Sequence, residues 1–182
     1  MRYTSIKDHL KVYSIVAKRT TTINHAFAAA IAPHDDFDDV RVRGAIRMLG
    51  QDPDAEIACA YCGGAAETWD HVHATVADKE FSGHGHRLGN LLPCCKHCNS
   101  KKGNKDWRAY LGQMKLPEAV RAERLERIGR YLEKYGIIDA VPEASAEYRE
   151  LVRLREEVLE RFRRADELAA KIREKARAME ER

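Results

Sequence analysis

The sequence lacks any long uninterrupted run of apolar residues. Across residues 1–19, MRYTSIKDHLKVYSIVAKR, charged side chains interrupt every apolar stretch. A signal peptide needs an apolar segment of at least about seven residues, and a membrane-spanning helix needs about twenty. The sequence therefore predicts neither element, and we expect a cytoplasmic protein.

The sequence also has little net charge. Its 182 residues include 32 Lys and Arg against 29 Asp and Glu, which gives a formal charge of +3. That excess is too small to establish a nucleic-acid partner, so the positions of the positive side chains have to decide. With 44% hydrophobic and 34% charged residues, the composition is that of a globular protein and disfavours wholesale disorder.

Cysteine is sparse and odd in number, which disfavours a disulfide framework. Four of the five cysteines form two C-x-x-C pairs, Cys59 with Cys62 and Cys95 with Cys98. This spacing favours metal binding, because two such turns supply the four thiolates of a tetrahedral zinc site. We predict a closed, structural zinc site without a position for catalytic water. The remaining Cys94 is predicted to be a small buried hydrophobe.

Helical periodicity dominates both ends of the chain. Apolar residues recur every three or four positions from Ile6 to Leu49, where we predict three helices, and again from Leu116 to about Tyr135. The boundaries of the first three are predicted from capping and breaking residues: Thr20 to Thr22, Pro33, Asp38 or Asp39, and Gly50 with Pro53.

A further long helix is predicted from Ala144 to the chain end, after a break at Gly136 and Pro142. Its apolar stripe follows a coiled-coil period: Leu151, Leu154, Val158, Phe162, Ala165, Ala169, Ile172, Ala176 and Met179. Two interpretations remain open. The helix lies across its own domain, or it pairs with a second copy in a homodimer.

The middle of the chain differs, because glycine, histidine and cysteine concentrate there. The segment ETWDHVHATV predicts a strand, a second apolar run spans residues 91–93, and Asn99 or Ser100 can cap a helix continuing through Trp107. Trp107 is predicted to pack against the strands. The fold class is therefore α+β, mainly α, in three regions: 1–54, 55–112 and 113–182.

Chemistry concentrates between the cysteine pairs, where Asp70 and His71 are adjacent. A carboxylate suits Mg²⁺ or Mn²⁺, and an imidazole can take a proton from water near neutral pH. The order C-x-x-C, Asp-His, asparagine, C-x-x-C-N-x-x-K-G across residues 57–112 resembles the HNH endonuclease family. That family has a small ββα-metal domain, which frequently carries a four-cysteine zinc site.

The resemblance implies a role for each matching residue. Asp70 and Asn99 would hold a catalytic Mg²⁺ or Mn²⁺, and His71 would be the general base. Asn90 would fix the loop between the two strands and orient His71, which makes this an H-N-N variant. Lys102 is counted among the catalytic residues. The implied fold is a zinc-stapled ββα-metal domain flanked by an N-terminal helical region and long C-terminal helices.

Positive side chains gather at the start of the same helix and predict contacts to the DNA backbone. They are Lys96, Lys101, Lys102, Lys105 and Arg108. The sequence departs from the family at Ala74, where many members have proline. No role is assigned to His73, which we expect to be structural, or to His84 and His86.

The resemblance predicts an endonuclease that acts on double-stranded DNA and leaves 5′-phosphate and 3′-hydroxyl ends. A restriction or defence enzyme acting as a homodimer is the leading interpretation, since cutting both strands together needs two sites. A nicking or homing-type nuclease of a mobile element is the first alternative. A catalytically silent, zinc-stabilised DNA-binding module is the second.

Overall fold

The computed structural model describes residues 3–140 and 144–180, and it confirms an α+β fold that is mainly helical. The helices of this described part are α1 Ile15–Ile31, α2 Asp39–Met48, α3 Lys96–Lys102, α4 Trp107–Gln113, α5 Glu118–Tyr135 and α6 Ala146–Glu180. The strands are β1 Thr68–His71, β2 Val76–Ala77, β3 Glu80–Phe81 and β4 Leu91–Cys94. Short 3₁₀ helices span Tyr3–Asp8 and Leu88–Asn90.

The start of α1 differs from the prediction. Thr20 to Thr22 were expected to cap a helix, but they lie inside α1, where Thr20 Oγ1 donates to the Val16 carbonyl at 2.7 Å. A threonine can satisfy its hydroxyl on the preceding turn and so continue a helix. Two groups cap α1: Ser14 Oγ accepts from the Ala17 N–H at 3.1 Å, and the Asp166 carboxylate of α6 accepts from the Ile15 N–H at 2.7 Å. A distant carboxylate thus adds to a local serine cap.

Other helix boundaries follow the predicted signals. Asp38 caps α2 by accepting from the Arg41 N–H at 3.0 Å, and α1 ends two residues before Pro33. Gly50 follows α2 with a φ of +72°, a conformation that glycine adopts readily. Pro142 and the last two residues, which the predictions also involve, lie outside the described residues.

The predicted helix from Asn99 through Trp107 is wrong, because two short helices replace it. The cap of α3 is Cys95, four residues earlier than Asn99, and α3 ends at Gly103, whose φ is +49°. A new helix then begins after Asp106, which accepts from the Ala109 N–H at 2.9 Å. The glycine and the aspartate together interrupt the backbone between two segments that share an apolar period.

Contacts within the chain define two compact units, residues 1–27 with 142–182 and residues 28–141. The second contains all of the predicted site residues around one core. Trp107 is fully buried in that core, which confirms its predicted packing role. The other large side chains of this core are Tyr61, Leu92, Leu111, Ile128 and Tyr131. The three-region division of the chain, and the homodimer, stay predictions.

Two antiparallel pairs form the sheet structure. Strand β1 pairs with β4, so that Asp70 lies opposite Leu92 and His71 opposite Leu91. Strands β2 and β3 make a small hairpin that the sequence did not predict, and its turn residues Asp78 and Lys79 both have positive φ. None of the helices in the described residues has the length and apolar character needed to cross a bilayer.

Candidate functional site: a cysteine cage beside a histidine-bearing strand

Two tight turns present the four paired cysteines. In the first turn, the Cys59 N–H donates to the Gly64 carbonyl at 2.6 Å, and the Gly63 N–H donates to the Cys59 carbonyl at 2.9 Å. Gly63 has a φ of +79°, which the turn requires and glycine supplies without strain. In the second turn, Cys95 caps α3 and its sulfur accepts from the Cys98 N–H at 3.4 Å.

The four sulfurs converge on one point. All lie within 4.8 Å of one another, and Cys62 Sγ is 3.7 Å from Cys95 Sγ. A tetrahedron of Zn–S bonds of about 2.3 Å places its sulfurs about 3.8 Å apart, so the cluster fits a zinc ion. Burial raises the pKa of Cys62 and Cys98. Metal binding should therefore release protons and weaken in acid, because zinc binds thiolates.

Cys94 lies against this cage without joining it. Its side chain is fully buried, and its sulfur is 3.9 Å from Cys59 Sγ. The hydrogen bond with Cys94, together with backbone N–H groups, lowers the pKa of Cys59. The fifth cysteine thus has the buried position predicted for it, and it favours the thiolate of a zinc ligand.

The side chains of Asp70 and His71 lie on opposite faces of β1. Successive side chains of a strand point to opposite faces, and accordingly Asp70 is buried whereas His71 is partly exposed. Asp70 faces α3, while His71 faces the loop that precedes β4, where its Nε2 is 3.0 Å from His86 Nδ1. Adjacent positions in the sequence therefore serve two different environments.

Asp70 belongs to a buried polar network. Its Oδ2 accepts from the Tyr61 hydroxyl at 2.7 Å and lies 3.1 Å from Lys102 Nζ. The same ammonium donates to the His71 carbonyl at 2.7 Å. Burial raises the pKa of Asp70, although both Tyr61 and Lys102 oppose that shift by favouring the carboxylate. A single lysine at the end of α3 thus joins the helix to both residues of the pair.

The predicted cation ligands Asp70 and Asn99 lie on two elements that pack together, β1 and α3. Asp70 Oδ1 has a longer contact with Lys102, 3.3 Å, and a carboxylate oxygen can accept further partners. Asn99 lies one turn before Lys102, and residues three apart share a helix face. Carboxylate and amide oxygens suit Mg²⁺ or Mn²⁺. A hard-cation site at these two residues stays a prediction, and the Lys102 ammonium beside Asp70 is a competing positive charge.

Asn90, which the resemblance assigned to fixing the loop between the two strands, makes three side-chain hydrogen bonds. Its side-chain oxygen accepts from the His73 N–H at 2.8 Å, and its amide donates to the carbonyls of His73 at 3.0 Å and Gly85 at 3.1 Å. Asn90 is 3% exposed, so these three bonds satisfy a buried side chain. The asparagine joins the segment after β1 to the loop around Gly85.

His73 packs against a second histidine. Its ring stacks on His84 with centroids 4.4 Å apart. Burial lowers the pKa of both imidazoles. The nearby ring of His84 lowers the pKa of His73 further. Both should be neutral near pH 7, which agrees with the structural role expected for His73 and leaves His71 as the histidine next to the Asp70 network.

The predicted DNA-contacting side chains fall into two groups. Four are exposed on or after α3: Lys96, Lys101, Lys105 and Arg108. Lys96 pairs with Glu67 at 3.1 Å, and the Arg108 guanidinium lies over Trp107 at 4.3 Å. The predicted DNA contact of Lys102 is wrong, because this side chain is 1% exposed and its ammonium faces Asp70. Lys102 therefore presents no charge to a phosphate at the surface.

Two residues of this site had no predicted role. Tyr61, inside the first C-x-x-C pair, donates to Asp70, and His86 contacts His71. A signal for His86 was present in the sequence as two H-x-H motifs, at residues 71–73 and 84–86.

Comparison with known proteins adds no relationship to these observations: no protein-family model matches the chain, and neither curated proteins nor solved structures give a significant match. The candidate site therefore rests on its own geometry, in which a four-cysteine cage able to hold zinc supports a strand carrying Asp70 and His71.

Proposed function

We propose that this protein is a metal-dependent DNA endonuclease of the HNH type. The observation that carries the proposal is the packing of α3 on β1, where Lys102 Nζ of α3 contacts the His71 carbonyl of β1. This contact places α3, the helix of Asn99, against the strand that bears the predicted base. An antiparallel strand pair followed directly by a helix is the order that a ββα-metal unit requires.

The chain's own residues account for the proton transfer. Neutral His71 accepts one proton from the attacking water, and the resulting hydroxide oxygen bonds to phosphorus. The bond from phosphorus to the 3′ oxygen breaks, and that oxygen takes a proton from solvent, which leaves 5′-phosphate and 3′-hydroxyl ends. A divalent cation held by Asp70 and Asn99 would supply positive charge to the phosphate oxygens.

Cleavage of DNA with Mg²⁺ or Mn²⁺ tests the proposal directly. Plasmid and genomic DNA are incubated with the full chain, with EDTA as one control, and the new ends are sequenced. His71→Ala should lose at least about 100-fold in rate, because it removes the general base. Exposed His25→Ala is the matched control and should keep full rate. Equal rates for the His71 variant and the wild type would contradict the assignment.

The sequenced ends also separate the proposed classes. Paired cuts at a recurring sequence indicate a restriction or defence enzyme, whereas single-strand cuts indicate a nicking or homing-type nuclease. The silent DNA-binding module is favoured by one observation, the Lys102 ammonium beside Asp70, because it competes with a cation. DNA binding by folded protein without cleavage under any metal would support that module and overturn the nuclease proposal.

The exposed lysines after the cage should contribute salt-dependent DNA affinity. Changing Lys101 and Lys105 together to glutamine should weaken binding to unrelated DNA sequences alike and reduce the salt slope by about two. Fluorescence anisotropy at several salt concentrations measures both quantities. Lys171 and Lys175, exposed on α6, provide a control pair of equal charge. An equal loss from the control pair would argue against a DNA surface on α3.

A further inference from the structure

Two H-x-H motifs in this chain pair with each other crosswise. His71 and His73 come from the end of β1, and His84 and His86 come from the loop that precedes β4. Nε2 of His71 lies 3.0 Å from Nδ1 of His86, and His73 stacks on His84. The first member of each motif therefore meets the last member of the other, as in two antiparallel segments.

The backbone around His86 is held in place from one side. The His86 N–H donates to the Pro33 carbonyl at 2.7 Å, and the Asp35 N–H donates to the His86 carbonyl at 3.4 Å. A Cβ at Gly85 would lie 2.1 Å from the Pro33 oxygen, so only glycine permits this approach. His86 is thus positioned by main-chain contacts that do not involve His71.

Asn90 fixes the distance between the two motifs from the other side. Its single side chain binds His73 through both the N–H and the carbonyl, and it binds the Gly85 carbonyl as well. These bonds hold the H-x-H segments together independently of the imidazole contact. These contacts thus fix the two main-chain segments from which the ring nitrogens of His71 and His86 come to lie 3.0 Å apart.

We propose that His86 is the positioning residue of His71, with His86 Nδ1 accepting a hydrogen bond from the Nε2–H of His71. A neutral imidazole has one donor and one acceptor nitrogen. If Nε2–H of His71 donates to His86, the His71 lone pair lies on Nδ1, which is then the atom that takes the proton from water. The inference rests on the proposed nuclease function, because it assigns His71 its reactive nitrogen.

A hydrogen bond in the opposite direction would leave His71 unable to act as the base. If Nδ1–H of His86 donated to Nε2 of His71, the His71 proton would lie on Nδ1, and neither nitrogen could accept a proton from water while the bond persisted. The tautomer of His71 consequently decides between a positioned base and a structural pair. A comparable tautomer error in a serine protease triad costs about 10⁴-fold in turnover.

Nitrogen-15 NMR of the histidine-labelled full chain at about pH 8 reads this tautomer directly. The expected result is a protonated Nε2 and an unprotonated Nδ1 on His71, assigned by loss of its signals in His71→Ala. A proton on Nδ1 of His71 in the wild-type protein would overturn the inference.

Steady-state cleavage by His86 variants supplies the second arm. His86→Ala should lower kcat about tenfold or more with little change in KM, since DNA contacts remain. His86→Asn places a carbonyl oxygen near the Nδ1 position and should recover most of that loss. Unchanged kcat in a folded His86→Ala protein would overturn the inference, as would an Asn variant that folds like wild type yet is no better than Ala.

The two arms distinguish this inference from the nuclease proposal. Wild-type protein that cleaves no DNA overturns both, whatever the tautomer. Wild-type protein that cleaves DNA while carrying the His71 proton on Nδ1 overturns only the role of His86. Exposed His25→Ala, which also removes one imidazole, should leave both the NMR signals of His71 and kcat unchanged.

Discussion

Replacing Cys59 with serine is expected to unfold the compact unit of residues 28–141 at room temperature. A serine hydroxyl does not replace a thiolate ligand, so the change should abolish zinc binding at the cage. Structural zinc in small sites contributes roughly 10–16 kcal/mol, whereas a whole domain is stable by about 5–15 kcal/mol. Losing the ion should therefore remove an amount comparable to the whole free energy of unfolding of this unit.

The position of the cage in the core explains why the loss should spread. Cys59 and Cys98 are 2% and 1% exposed, and they share one core with Tyr61, Trp107 and Ile128. Between α2 and β1 the described chain forms no helix or extended strand, so the four sulfurs add to a turn that otherwise has only a few hydrogen bonds. Without zinc, core residues from α4 and α5 would lose the surface they pack against.

Tryptophan fluorescence reports this unit specifically, because both tryptophans of the chain lie within it and Trp107 is fully buried. The measurement combines emission, thermal melting and bound zinc per chain. Cys94→Ser is the matched control, as it changes a neighbouring buried cysteine outside the cage, and it should keep one zinc with a cost of about 1–3 kcal/mol. A Cys59→Ser protein with wild-type melting would refute the structural zinc site.

The cage itself could be predicted from the sequence, because ligand spacing is a local property of a turn. Helix periodicity likewise located α2 and α5, whose apolar faces recur within the chain segment itself. The prediction failed where distant groups decide the outcome. Asp166, about 150 residues away in sequence, joins the local Ser14 in capping α1, and no local pattern indicates the contact with Asp166.

The partners of Asp70 and His71 lie beyond sequence reasoning for the same reason. Lys102 resembles its exposed neighbour Lys101 in the sequence, yet only the former turns inward, because the packing of α3 on β1 points it at Asp70. His86 reaches His71 through a loop path that depends on Pro33 and Asn90. Residue type and spacing drew attention to the Asp70–His71 pair, whereas tertiary packing determined what each member contacts.

Replacing Lys102 with methionine should destabilise the protein by about 3–5 kcal/mol. The change keeps an apolar stem of similar length but removes the ammonium, so the buried Asp70 carboxylate loses its compensating charge. The His71 carbonyl also loses a donor at 2.7 Å. Urea denaturation followed by tryptophan fluorescence measures the difference, with Lys101→Met as the matched control. That exposed neighbour should change stability by no more than about 0.5 kcal/mol.

A double variant separates the ion pair from simple packing. Asp70→Asn together with Lys102→Met removes both charges and should recover part of the loss, because breaking a buried pair costs more than replacing it. A loss below about 1 kcal/mol for Lys102→Met alone would mean that the ammonium does not compensate Asp70 in solution. Asp70 would then be less restricted as a cation ligand. A large loss would instead mean that any cation at Asp70 binds beside Lys102, with weaker affinity than two oxygen donors alone would give.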